Sequence, residues 1–273
     1  MDVTVGQARP AAIRRIGLGA RARGFATLAY TIVSAFFFIV LQLPALLAGS
    51  ASFSIWLARR WWSPWALRVA GAKVEVVRLA EEPQGPAVYA SNHQSALDIW
   101  ALFIAIRRDV RFLAKAELFQ IPIFGWYLRR ARFVEVDRRN HARAVASLTK
   151  GAEIVRDGVS LIVFPEGTRS VDGRVQSFKK GPFVLAERAG VPVIPVAISG
   201  AAALAPKGRI AVFPGTIRIA IGPAVDPAEF KDKDALLREV HRRIVEQQLA
   251  IGGPGGDAEG AVAARGQEGG RNV

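Results

Sequence analysis

The chain has 273 residues, 51% hydrophobic and 22% charged, enough for one large domain or two small ones with a full core. Lys and Arg number 37 against 23 Asp and Glu, a net charge of +14 that favours an anionic partner: nucleic acid, an anionic membrane surface or a phosphorylated substrate. The absence of cysteine excludes disulfides, thiolate catalysis, Cys-based zinc sites and Fe–S clusters.

The first element is apolar. Gly24 to Ala58 contains no charged residue, and Phe25 to Ala48 alone exceeds the ~20 residues a helix needs to span a bilayer. It is also longer than the h-region of a cleaved signal peptide. Basic residues flank both ends: Arg14, Arg15, Arg21 and Arg23 before it, Arg59, Arg60, Arg68 and Lys73 after it. A single span should show asymmetric flanks, so this symmetry predicts a re-entrant hairpin. Pro44 and Ala48–Ser52 would form its bend, and its second arm would run from Phe53 to about Val69. Trp56, Trp61, Trp62 and Trp65 on that arm read as interfacial anchors. One span followed by an amphipathic helix is the alternative. Both basic ends would meet anionic lipid on the cytoplasmic face, the inner membrane if the cell is bacterial.

After residue 70 the pattern alternates. Strands are predicted at Ala72–Ala80, Gly85–Ser91, Val110–Ala114, Phe133–Arg138, Val159–Gly167, Val191–Gly200 and Gly215–Gly222. Helices are predicted at Ala96–Arg108, His141–Gly158, Pro182–Gly190 and Asp232–Ala250. Such alternation predicts a layered α/β/α domain over residues 71–250, with a largely parallel central sheet, behind a membrane-anchoring segment over residues 1–70. The Gly- and Ala-rich stretch 251–273 reads as a disordered tail.

Ligands of such sheets bind beyond the carboxyl ends of the strands. Three polar clusters fall there. "NHQSALD" holds His93 and Asp98. A neutral imidazole can take a proton from a hydroxyl near neutral pH, and a carboxylate can fix its tautomer. A capping histidine in a polar turn is the bland reading. "FPEGTRS" is a Pro/Gly turn exposing Glu166 and Arg169, and arginine binds phosphate as a fixed fork. "RFVEVDRRN" sets Asp137, Arg138 and Arg139 past a strand. "SFKKGP" offers Lys179 and Lys180 to an anion. "VPVIPVAISG" is either a core strand or an apolar wall for an acyl chain.

Several chemistries are missing. No G-x-S-x-G elbow, P-loop or G-x-G-x-x-G occurs, and the three histidines lie too far apart to form a local metal motif. Between Arg107 and Arg143, where basic residues concentrate, no aromatic–basic interleaving marks a nucleic-acid platform. A base without an enzyme nucleophile points to direct attack by a substrate hydroxyl.

In sum, four blocks in order resemble the glycerolipid acyltransferase family: "NHQSALD", "FVEVDR", "FPEGTRS" and "VPVIPVAI", with "AKAELFQIPIFGWYL" between the first two. The resemblance runs from about Ala72 to Gly222. It implies transfer of an acyl group to the sn-2 hydroxyl of 1-acyl-sn-glycerol 3-phosphate, with no cofactor. The donor would be an acyl-CoA or acyl carrier protein thioester, and the partners a lysophospholipid and anionic membrane lipids, not nucleic acid. The resemblance implies His93 as general base and Asp98 as its orienting carboxylate. It assigns the acceptor to Arg138, Glu166, Gly167, Thr168 and Arg169, with Lys115 helping to hold an anionic group. Val136 stands where the family often has isoleucine. Relatives that acylate a lyso-ornithine lipid share much the same blocks, so acylation of another lysolipid is one alternative reading and a non-catalytic lipid-binding membrane protein the other.

Overall fold

The computed structural model describes residues 16–137 and 141–256. Helix α1 (Leu18–Leu47) turns at Ala48–Ser50 into α2 (Ala51–Leu57), which continues through a π-helical turn (Ala58–Trp62) into α3 (Ser63–Ala70). Gly71, in the left-handed region at φ 69°, ends α3. The elements that follow are β1 (Ala72–Arg78), β2 (Val88–Ser91), α4 (Leu97–Ala105), β3 (Val110–Lys115), α5 (Ala116–Phe119), α6 (Phe124–Arg130) and β4 (Val134–Val136). Then come α7 (His141–Arg156), β5 (Ser160–Val163), α8 (Gly181–Ala189), β6 (Val193–Ser199), α9 (Ala201–Leu204), β7 (Gly215–Ile221) and α10 (Lys233–Ala250).

The seven strands form one sheet in the order β1-β7-β6-β2-β5-β3-β4. Every pairing is parallel except β6 with β7. The expected α/β/α layering is present, and strand periodicity explains it. Along β5, Ile162 enters one core while Leu161 and Val163 enter the other. In β2, Tyr89 faces one side and Val88 and Ala90 the opposite side. The Tyr89 face packs against α4, α6 and the N-terminal helices; the Val88 face packs against α7, α8 and α10. Strand β6 is buried along its whole length between β2 and β7, so "VPVIPVAIS" is a core strand rather than a wall open to ligand.

The expected helical hairpin is there, with its bend at Ala48–Ser50, but its arms differ in detail. Pro44 lies inside α1, and Arg21 and Arg23 belong to its first turns. Arg14 and Arg15 lie outside the described residues. Helix α1 is long and apolar enough to cross a membrane, with a mean hydropathy of 2.1 over its most apolar window. Phe25, Leu28, Ile32, Phe36, Val40 and Leu47 form part of a broad exposed face. A row that water solvates so poorly marks this segment as membrane-associated. The opposite side is fastened to the domain. Gln42 on α1 accepts from Ser54 Oγ on α2, and Ser54 Oγ lies 3.1 Å from Tyr127 Oη on α6. Trp62 is not an interfacial anchor: it turns inward, donates to Ser34 Oγ at 2.8 Å and packs edge-on against Trp100. Trp56, Trp61 and Trp65 do face outward, and Arg60 and Arg68 lie over the rings of Trp61 and Trp65.

The tail begins later than expected. Residues 251–256 pack back onto the domain instead of leaving it. Val175 N donates to the Gly255 carbonyl at 2.9 Å, and Gly253 N to the Gln248 carbonyl at 2.7 Å. Glycine permits this close approach: a Cβ at Gly256 would sit 2.7 Å from the Val175 carbonyl oxygen. Residues 257–273 lie outside the described set.

Candidate active site

Central strand β2 delivers the first motif to the carboxyl edge of the sheet. Immediately beyond it, Asn92 clamps the chain to β6: its Nδ2 donates to the Ile198 carbonyl at 2.9 Å, and Ile198 N donates to its Oδ1 at 2.7 Å. Gln94 reaches the other way, with Nε2 donating to the Gly173 carbonyl at 2.8 Å. Between these two anchors, His93 has no freedom to choose its direction.

Asp98, in the first turn of α4, is 0% exposed. Its Oδ2 lies 2.8 Å from His93 Nδ1 and accepts from Gln94 N at 2.6 Å and Ser95 N at 2.8 Å. The loop therefore curls around the carboxylate, which reaches back to the ring as the sequence suggested. A carboxylate on Nδ1 assigns the proton there and leaves Nε2 as the basic nitrogen. The imidazole also stacks on Phe164, with centroids 3.9 Å apart and planes 14° apart. Phe112 stacks behind Phe164, so two rings and a carboxylate fix the plane of the base.

Strand β5, beside β2, brings the second motif to the same edge, and here the sequence expectation is corrected. Glu166 is not exposed by its turn. It is buried, and its Oε1 accepts from His93 N at 3.2 Å. Burial pushes its carboxyl up to about 8, against the lowering effect of main-chain N–H donors from His93 and Gln176, with Asp98 adding repulsion. Glu166 therefore braces the histidine loop from beneath. Gly167 takes φ 73°, and the side chain of Lys179 lies across it. Thr168 is exposed and Arg169 half-exposed. The Arg169 guanidinium has no hydrogen bond or ion pair with the described residues, so it is free to bind a ligand.

Strand register carries Lys115 to this edge as well, since β3 pairs Phe112 with Ile162 of β5. Lys115 is exposed and forms an ion pair with Glu117 at 2.9 Å. Lys180 is not available to an anion, because Asp234 holds it at 2.6 Å. Arg138 and Arg139 lie outside the described residues. Among the described residues, no cluster of His, Asp or Glu could hold a metal. His241 is structural: buried in α10, its Nε2 meets the Gln176 carbonyl at 3.2 Å.

Sequence reading missed Lys207. It follows α9, and its Nζ donates to Thr168 Oγ1 and to the Arg169 carbonyl, each at 2.9 Å. No spacing rule joins residues so far apart; only the return of the chain past β6 does. Replacing Lys207 with Met is expected to loosen the Thr168–Arg169 turn and raise the acceptor KM about three- to tenfold with little change in kcat, the size of one or two lost charge-assisted hydrogen bonds. Steady-state kinetics in the acceptor would check this.

Beside the site lies a cavity of about 300 Å³. Phe164, Leu113, Val145, Leu148 and Val163 line it, with Lys179 and Gly167 at one side. An apolar cavity with a cation beside it suits an amphiphile with an anionic end.

The pattern of the family described as "Acyltransferase" matches residues 73–199. The 1-acyl-sn-glycerol-3-phosphate acyltransferase of Pseudomonas aeruginosa is 37% identical over 174 residues, covering 63% of this chain and 64% of its own. The chloroplast enzyme of the same name from Arabidopsis thaliana is 33% identical over 238 residues, covering 85% and 66%. The crystal structure of the 1-acyl-sn-glycerophosphate (LPA) acyltransferase PlsC from Thermotoga maritima superposes with a TM-score of 0.70 at 29% identity, covering 83% of this chain and 94% of that one.

The chain carries a domain of the family described as "Acyltransferase" over residues 73–199.

It spans between about half and two thirds of the length of the curated relatives it matches. The acyltransferase segment 73–199 contains His93, Asp98, Lys115 and the Glu166–Arg169 turn. Lys207 falls beyond it. The likeness drawn from four short motifs therefore extends to the fold, since the Thermotoga structure covers most of both chains.

Proposed function

We propose that the protein acylates the free sn-2 hydroxyl of 1-acyl-sn-glycerol 3-phosphate, using an acyl-CoA or acyl-acyl carrier protein thioester and releasing phosphatidate. The observation that carries this reading is the His93–Asp98 pair, whose second ring nitrogen has no hydrogen-bond partner among the described residues, on an edge that also carries Lys115 and Arg169.

His93 Nε2 removes the proton of the acceptor hydroxyl as its oxygen attacks the thioester carbonyl. The new C–O bond forms a tetrahedral intermediate. Its collapse breaks the C–S bond, and the imidazolium returns the proton to the departing sulfur. Asp98 stabilises the imidazolium in between. No acyl-enzyme is needed. Arg169, Lys179 and Arg138 supply positive charge for the acceptor phosphate, while the cavity beside Phe164 receives apolar chain. Lys115 adds charge at the neighbouring strand end. Gly167 and Thr168 shape the turn that presents Arg169. Glu166 serves by holding His93 rather than by touching the acceptor. The hairpin keeps this edge at the cytoplasmic membrane surface, where the lysolipid resides.

The test is thioester consumption by the full chain with oleoyl-CoA, with and without lysophosphatidate. Acceptor-dependent phosphatidate is the expected product. Acceptor-independent CoA release would mean a thioesterase. Turnover only with a lyso-ornithine lipid would keep the chemistry and change the acceptor. Arg169→Ala is expected to raise the lysophosphatidate KM at least about tenfold, because a charged hydrogen bond to phosphate contributes about 1.5–3 kcal/mol. An unchanged KM would remove Arg169 from the phosphate site.

A further inference from the structure

The chain between β3 and β4 carries an apolar projection that neither the catalytic site nor the sheet uses. Helices α5 and α6 are joined by a tight turn, Gln120–Ile123. Gly125 N donates to the Ile121 carbonyl at 2.7 Å, and Phe124 N to the Pro122 carbonyl at 2.6 Å. A Cβ at Gly125 would collide with the Phe119 carbonyl, so only glycine lets α6 start this close to α5. The Phe124–Pro122 bond closes a three-residue turn centred on Ile123, whose φ is 64°. For a β-branched residue that conformation is strained. Its result is an isoleucine turned out of the core. Ile123 is 53% exposed, Ile121 47% and Leu118 38%.

The position of this turn identifies what covers it. Phe124, just after the turn, lines the same apolar cavity as Ala35, Phe38 and Ile39 of α1. At the other end of α6, Arg130 Nη2 donates to the carbonyls of Leu46 at 2.8 Å and Leu47 at 3.3 Å, at the end of α1. Helix α6 thus lies along the distal half of the apolar hairpin, and the turn stands beside its middle. On the other side, α5 starts directly after Lys115, at the site edge. Arg129 and Arg130 are exposed on the same short helix, and Arg129 lies over the Phe119 ring. Outward aliphatic side chains flanked by arginines match the boundary between acyl chains and anionic headgroups.

We propose that Leu118, Ile121 and Ile123 form a second lipid-contacting element, a rigid apolar wedge that enters the same bilayer interface as the hairpin and sets the His93 edge against it. The proposal rests on membrane association of the hairpin. Because the wedge is a tight turn braced against the hairpin, it fixes how the domain tilts on the surface and not merely that it is attached.

The chain has no cysteine, so single cysteines can be labelled in the full protein with an environment-sensitive fluorophore. Ile121→Cys reports the wedge, Phe37→Cys the exposed face of α1, and Glu187→Cys the solvent-facing α8. The probes are phosphatidylcholine–phosphatidylglycerol vesicles carrying brominated acyl chains. Quenching at positions 121 and 37 but not 187 is the expected result. Quenching at 37 alone would overturn the wedge and leave the hairpin standing. No quenching at 37 or 121 would overturn both. A second measurement uses Ile121→Asp with Ile123→Asp. The KM for vesicle-embedded acceptor is expected to rise about tenfold, as fits lost apolar burial. Kinetics with a monomeric short-chain acceptor should stay unchanged. Equal loss on both acceptors would make these residues structural and overturn the proposal.

Discussion

His93→Ala is expected to lower kcat for acyl transfer by about 10²–10⁴-fold, the usual contribution of a positioned general base. The acceptor KM should change little, because Arg169 and Lys179 remain. Asp98→Asn separates orientation from basicity. Asparagine keeps the shape but presents either an oxygen or an NH2 to His93 Nδ1 and the two main-chain donors, Gln94 N and Ser95 N. With an NH2 toward the ring, the imidazole adopts the wrong tautomer, and the loss should approach that of His93→Ala. Single-turnover measurement of phosphatidate formation checks both variants. Full activity in His93→Ala would remove the base from the mechanism. Wild-type activity in Asp98→Asn would show that the loop's backbone alone sets the tautomer.

Glu166→Gln is expected to change stability with pH. In the folded protein burial holds the Glu166 carboxyl near 8, against an ordinary value of 4.5. Between those values the unfolded chain has lost this proton while the folded chain keeps it. Folding stability from this group is therefore full below about pH 4.5, falls through the window and levels off above about 8. The total is on the order of 3–5 kcal/mol, at about 1.4 kcal/mol per pKa unit. Glutamine has no such slope and can still accept from His93 N. Thermal unfolding of detergent-solubilised protein at pH 5, 7 and 9 should show the variant gaining on the wild type as pH rises. A constant difference across that range would mean that Glu166 keeps a water-accessible, ionised carboxylate.

The fold and the core of the site were legible in the sequence for identifiable reasons. Strands β2, β5 and β6 are short apolar runs ending at polar turns, and α7 and α10 have clear amphipathic periods, so the alternation could be read directly. The charge-free stretch from Gly24 to Ala58 announced a membrane-associated segment, because a soluble core helix rarely lacks charge for so long, and its basic flanks at both ends pointed to a hairpin. His93 and Asp98 are close in sequence, so a loop-to-helix turn was enough to bring them together.

Tertiary structure decided everything that depends on distant residues meeting. Short helices α5 and α6 went unread because Pro122 and a four-residue period are too brief for a helical pattern. Glu166 proved buried rather than exposed, since only the packing of β5 beside β2 places its carboxyl under the His93 amide and removes water from it. Phe164 became the ring beneath the base, and Lys207 reached the Thr168–Arg169 turn from beyond β6. Residues 251–256 joined the domain because Gly255 accepts from Val175, Gly253 closes back on Gln248, and Gln248 reaches Gly173 and Ile198. Sequence by itself determined which groups were present and which strand ends carried them, because local periodicity and turn chemistry are properties of neighbouring residues. The direction each group faces, and whether it meets water, lipid or another charge, was settled only when the sheet order brought those strand ends side by side.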